Sequence, residues 1–167
     1  FIILGISFWT ALDLYEGTSK NLKSYDIIPL LFISLTIIAG TFVSGMDAGL
    51  VYNTFPYMGD GIIPIEYGNL GFIDPFENPV TAQFHHRLLA SITLIIIIIY
   101  SIHYIISNPI NLRILLLLFA IICQFIIGIF TLLYSVPITL GAMHQFVGVL
   151  LFLSALWVLH SPKKNTF

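Results

Sequence analysis

Four apolar stretches, residues 27–52, 79–106, 112–134 and 137–160, constrain this chain more than any other feature. A bilayer core of about 30 Å needs roughly 20 helical residues at about 1.5 Å each, and every one of the four meets that length. Only 8% of residues are charged, against roughly 25% in a soluble domain. A chain that is 58% hydrophobic cannot cover its apolar surface with so few charges. A soluble enzyme, a nucleic-acid binder and a disordered chain are thereby excluded. The expected fold class is all-α: a polytopic membrane protein, a four-transmembrane-helix bundle plus a partial N-terminal helix.

A fifth stretch, residues 1–14, is apolar but about half the required length, and it has no charged lead or small-residue cleavage site. It reads as the end of a preceding transmembrane helix, so the chain is expected to be a fragment of a longer protein. The organisation that follows is a linker over 15–26, a membrane bundle over 27–160 with an outer loop at 53–78, and a tail over 161–167. Cys123 lies alone in an apolar run and reads as a small core residue, so no disulfide framework is available.

Lysine and arginine set the orientation. Lys20 and Lys23 lie in the first connection, Arg113 in the third, and Lys163 and Lys164 in the tail, whereas residues 53–78 carry none. The positive-inside rule places the former in the cytoplasm or matrix and the long loop outside. Arg87 is the exception, close enough to a helix start to reach the outer interface.

Each of the five histidines needs a reason to lie in or near a membrane helix. His103 and His160 fall near helix ends, where an interfacial imidazole needs no function. His86 and His144 differ. Asn78-Pro79 reads as an N-cap followed by proline at the first helical position, and Val136-Pro137 starts the last helix similarly, with Ser135 as a candidate cap. Both histidines come seven residues after their proline, so both sit roughly 10 Å below the outer helix ends. Facing one another across a bundle, they form a pair able to bind a metal or to sandwich a haem iron.

Helical phase selects between His85 and His86. His86 shares its face with Gln83, Ala90 and Thr93, which are small or polar, whereas His85 shares its face with Leu89 and Ile92. His144 shares its face with Gly141, Gly148 and Leu151. Ala90 and Gly148, one turn below the imidazoles, leave room for a flat macrocycle. Residues 112–134 offer Gln124, Gly128 and Thr131 on one stripe and residues 27–52 offer Gly40, Ser44 and Asp47, which also suit plain helix packing. A second haem on His103 and His160 is rejected, because they lie about 100° and about 160° off the faces of His86 and His144. Zinc would want four ligands, and here Asp47 is the only further candidate. Two axial histidines suit a six-coordinate haem iron, which leaves no open position for oxygen.

Several segments together carry a family resemblance. The run Gly45-Met46-Asp47-Ala48-Gly49-Leu50-Val51-Tyr52-Asn53-Thr54-Phe55-Pro56 resembles the outer-loop entry of the haem A synthases. Phe76-Glu77-Asn78-Pro79 and Gln83-Phe84-His85-His86-Arg87 are similar to that family's ENP and QFxHR segments, and Met143-His144-Gln145 with Ala155-Leu156-Trp157 to its last helix. The resemblance runs in order over about residues 8–160. It implies a tandem of two four-helix bundles, of which this chain resembles the second, C-terminal one. It implies oxidation of the C8 methyl of haem O to the formyl of haem A for cytochrome oxidase, with that chemistry in the first bundle. For this chain it implies haem b, with iron held by His86 and His144 and no catalytic residue of its own.

The family's first bundle has a glutamate where this chain has Gln83, and an amide cannot serve as a carboxylate base. Gln83 is therefore expected to hydrogen-bond near the haem without moving protons. The implied partners are the N-terminal half of the same enzyme, haem O, membrane lipid, and haem O synthase or cytochrome oxidase assembly factors, with no nucleic acid. The implied location is a bacterial inner membrane or the mitochondrial inner membrane. A stand-alone membrane cytochrome b or haem carrier is the alternative, and a non-haem structural or transport bundle a third.

Supporting residues keep more than one reading. Arg87 has three outlets: a haem propionate, lipid headgroups, or Glu77. Asp47 is either a solvated helix-end acid or part of the pocket's hydrogen bonding. The aromatic outer loop either caps the haem edge, meets a partner, or forms a headgroup belt.

Overall fold

The computed structural model describes residues 1–17 and 24–160. It is built of helices: α1 (Ile2–Glu16), α2 (Ile27–Gly45), the one-turn α3 (Asp74–Glu77), α4 (Pro79–Ser107), α5 (Leu112–Leu133) and α6 (Ile138–Leu159). Four of them, α2, α4, α5 and α6, are long and apolar enough to cross a membrane. Lys20, Lys23, Lys163 and Lys164 lie outside the described residues.

Local sequence explains the helix ends. The Asn78 side chain accepts a hydrogen bond from the Val80 amide at 3.0 Å, with Pro79 in the first helical position where no donor is missed. Asn111 caps α5 through the Ile114 amide at 3.2 Å. Two expectations are corrected. Ser135 does not cap α6: it and Val136 take positive φ values of 58° and 55°, and their amides bond to Leu132 and Thr131 carbonyls. That turn completes the end of α5, and Pro137 itself is the N-cap of α6 with no side-chain bond. Nor does α2 continue to residue 52. It stops at Gly45, because Asp47 turns left-handed at φ 50° before a short 3-10 turn, Ala48–Leu50. There Gly49 is required, since a Cβ would come within 2.8 Å of the Val136 side chain.

Helices α2 and α4 pack together, as do α5 and α6; α4–α5 and α2–α6 contacts close the bundle, and α1 lies outside on α6. The buried apolar cluster of Ile33, Ile97, Tyr100, Ile114, Leu117, Ala120, Ile121, Leu151 and Ala155 fills the half remote from the long loop. Outward faces stay apolar, with Ile95, Ile99, Ile102 and Ile106 of α4 all exposed, as suits helices solvated by lipid.

The end of the bundle away from the long loop holds a polar cluster. His160 lies at the end of α6, as expected, but it is packed inside this cluster at 0% exposure. Its Nε2 lies 3.0 Å from the Asp13 carboxylate and its Nδ1 3.4 Å from that of Glu16. Arg113 pairs with Glu16 at 2.7 Å and donates to the Trp157 and His160 carbonyls, while Trp157 Nε1 donates to Glu16 at 3.1 Å. The cause is electrostatic. The C-terminal ends of α1 and α6 both carry partial negative charge, and Arg113 answers the free carbonyls of α6. His103, by contrast, is exposed and stacks edge-on with Tyr25.

At the other end Asp74 organises the long loop. Its buried carboxylate accepts from the Gly68 and Leu70 amides at 2.9 Å each, from Asn78 Nδ2 at 2.9 Å and from the Thr81 hydroxyl. Burial pushes this carboxyl up, but the hydrogen bonds from Thr81, Asn78, Leu70 and Gly68 outweigh it and hold the group well below the usual carboxylate range.

Candidate functional site

The two histidines at matched depth do meet. From α4 and α6 the His86 and His144 rings approach to 6.5 Å between centres, with planes at 87°. Both are half-buried. His85 turns away, with its Nε2 3.2 Å from the Tyr67 hydroxyl in the long loop.

Each ring is backed by a glycine from a neighbouring helix. A Cβ on Gly40 of α2 would come 3.1 Å from His86 Cε1, and one on Gly128 of α5 would come 2.9 Å from His144 Cε1. Both glycines stand in the stripes that also suited helix packing, and nothing in their spacing marked them as ring supports. A Cβ on Gly148 would come 3.3 Å from the Gln124 amide nitrogen. Ala90 is half-buried on α4, one turn from His86.

The polar surroundings of the rings are unequal. His86 Nδ1 lies 3.1 Å from the main-chain carbonyl of Thr36. A carbonyl only accepts, so Nδ1 carries the proton and Nε2 keeps its lone pair. The Thr36 hydroxyl in turn meets that of Thr93, one further turn along α4, at 2.7 Å. His144 Nε2 lies 3.3 Å from the Gln124 amide nitrogen, and its Nδ1 is buried without a partner.

Gln83 is buried at 2% exposure, donating from Nε2 to the Tyr52 carbonyl at 3.0 Å while its Oε1 has no partner. Arg87 takes a route that sequence reasoning missed. It donates to the Tyr52 carbonyl at 2.7 Å, to that of Thr54 at 2.9 Å and to that of Tyr57 at 3.4 Å, so it clamps the loop. Asp47 is exposed, as a solvated helix-end acid would be. Among the described residues no three His, Cys, Asp or Glu side chains converge as metal ligands, and His86 and His144 are the imidazoles that meet. Four buried polar atoms without partners, Gln83 Oε1, Arg87 Nε, Gln124 Oε1 and His144 Nδ1, mark this half of the bundle as fit for a polar-edged group.

Comparison with known proteins agrees with this architecture. The COX15-CtaA family model, described as cytochrome oxidase assembly protein, matches residues 1–156. A "Heme A synthase" of Wolbachia pipientis wMel is 39% identical over 153 residues, covering 89% of this chain and 42% of the relative. One from Nitrosospira multiformis is 38% identical over 99% of this chain and 50% of its own length, and one from Rickettsia prowazekii 36% identical over 84% and 43%. The chain thus spans about half the length of the curated relatives it matches. No solved structure matches it. With a family model over nearly its full length and an all-helical bundle to go with it, the chain belongs to the COX15-CtaA family.

Proposed function

We propose that this chain is the haem b-holding, C-terminal half of a haem A synthase, with His86 and His144 as the axial ligands of one iron. The observation that carries this reading is the meeting of those two rings. The rings stand 6.5 Å apart. Gly40 and Gly128 leave space where any other residue would crowd the imidazoles.

A haem held by two histidines supplies one-electron chemistry and leaves no site for oxygen. The chain's own residues do the rest. The Thr36 carbonyl fixes the proton of His86 on Nδ1, which aims a lone pair from Nε2. Gln83 sits where a carboxylate would be needed for proton abstraction, and its amide binds the loop instead. Arg87 and Gln83 together hold the Tyr52 carbonyl, which ties the start of the long loop to α4. In this reading haem O oxidation belongs to a partner half. The long loop lies on the outer face of a bacterial or mitochondrial inner membrane, and Arg113 on the opposite side.

Loading the purified chain with hemin tests the proposal. One haem per chain with a low-spin bis-imidazole spectrum, and no conversion of haem O, is the expected result. Failure to bind haem overturns the ligand assignment, and turnover of haem O by this chain overturns the division between halves. A stand-alone cytochrome gives the same spectrum. It is distinguished by failing to restore haem A formation when joined to the N-terminal half of the Wolbachia relative.

A further inference from the structure

The two imidazoles have different neighbours, and the difference has a chemical consequence. His86 donates its Nδ1 proton to a main-chain carbonyl that cannot rotate away, because Thr36 sits mid-helix in α2. The Thr36 and Thr93 hydroxyls, 2.7 Å apart, tie that turn of α2 to α4, and Thr93 is 1% exposed with a further contact to the Phe32 carbonyl at 3.3 Å. Both the ring's orientation and its tautomer are therefore set by the fold. His144 has no such partner on Nδ1, and its Nε2 is engaged by a side-chain amide, that of Gln124. Gln124 is itself only half-satisfied, with Oε1 buried and unpartnered, and a Cβ at Gly148 would come 3.3 Å from its amide nitrogen. An imidazole nitrogen has one site in the ring plane, and it cannot serve an amide and an iron at once.

We propose that the ligands are unequal: Thr36 and Thr93 are positioning residues that preset His86, whereas Gln124 competes with iron for His144, making His144 the exchangeable ligand. This rests on the haem reading above and assigns work to residues that it leaves out. Thr93 raises haem affinity and Gln124 lowers it, so the two substitutions act in opposite directions.

The test uses the full chain loaded with hemin, in wild type, Thr93→Val, Thr93→Ser and Gln124→Leu forms, with helix content by circular dichroism as the check on folding. Loss of a partner behind a metal ligand costs about 10- to 100-fold in affinity. Thr93→Val leaves the Thr36 carbonyl in place and removes only the tie between α2 and α4, so its expected loss is at the low end of that range, about 10-fold, and Thr93→Ser, which keeps the hydroxyl, should recover it. Gln124→Leu is expected to bind hemin at least as tightly as wild type. After reduction it should also admit carbon monoxide more slowly, because nothing draws His144 off the iron. A merely structural role for Gln124 would lower affinity and open the iron to carbon monoxide. That outcome, or equal behaviour of Thr93→Val and wild type, overturns the proposal. Failure of the wild type to bind hemin defeats the underlying haem reading instead, so the two failures are distinct.

Discussion

Gly128 and His144 touch so closely that a Cβ at residue 128 would lie 2.9 Å from the imidazole Cε1, inside any normal carbon contact. The ring can answer only by moving. Gly128→Ala is therefore expected to reduce the low-spin fraction of the hemin-loaded chain, measured by absorbance, while leaving helix content intact. Gly40→Ala, at 3.1 Å from His86, should do the same to a smaller degree. Gly141→Ala, with open space around it, should do nothing.

Histidine replacement separates the pair from the rest. His86→Ala and His144→Ala should each abolish stoichiometric haem binding. His85→Ala and His103→Ala should retain it, since their rings meet Tyr67 and Tyr25 instead. His160→Ala should also keep the spectrum but lower the unfolding temperature, because it leaves Asp13 and Glu16 without the imidazole between them.

The order of the long loop should depend on pH through Asp74. Its folded-state carboxyl lies well below the unfolded value of about 3.9, so ionisation favours the folded loop. That contribution is complete at neutral pH, declines as pH falls below about 4, and is gone only in strong acid. Proteolysis within residues 60–73 should be steady from pH 7 to pH 5 and rise below pH 4. Asp74→Asn should be cut several-fold faster at neutral pH and lose the acid dependence.

Glu16 and Arg113 are partly buried, with side-chain exposures of 16% and 25%. Their pair lies between an exposed one, worth about 1 kcal/mol or less, and a fully buried one, whose breakage costs about 3–5 kcal/mol. Glu16→Gln or Arg113→Gln alone should destabilise by about 2 kcal/mol in detergent unfolding. The double variant should cost clearly less than the sum, the sign of direct coupling.

Much of this was readable from residues, and the rest failed for identifiable reasons. Length and apolarity gave the four long helices because a bilayer demands both. Proline spacing gave the His86–His144 level because helical rise is constant. Phase separated His86 from His85. What stayed hidden depends on contacts between helices far apart in sequence. The Thr36 carbonyl has no side-chain signature, and Gly40 and Gly128 look the same as ring supports or as packing surface. The burial of His160 stayed hidden because its acids come from α1, 147 positions away in the case of Asp13. Arg87 was read through its charge, whereas three loop carbonyls decide its place.

The knot of Asp13, Glu16, Arg113, Trp157 and His160 also bears on where a functional module can be cut. An excision that began at α2 would keep every long helix yet strand a guanidinium and an imidazole at the lipid boundary without counter-charge. The last turn of α1 thus belongs with the bundle as one electrostatic unit. Gene fusions or exchanges within such proteins should find their tolerated junctions upstream of Asp13, not at the first residue of α2.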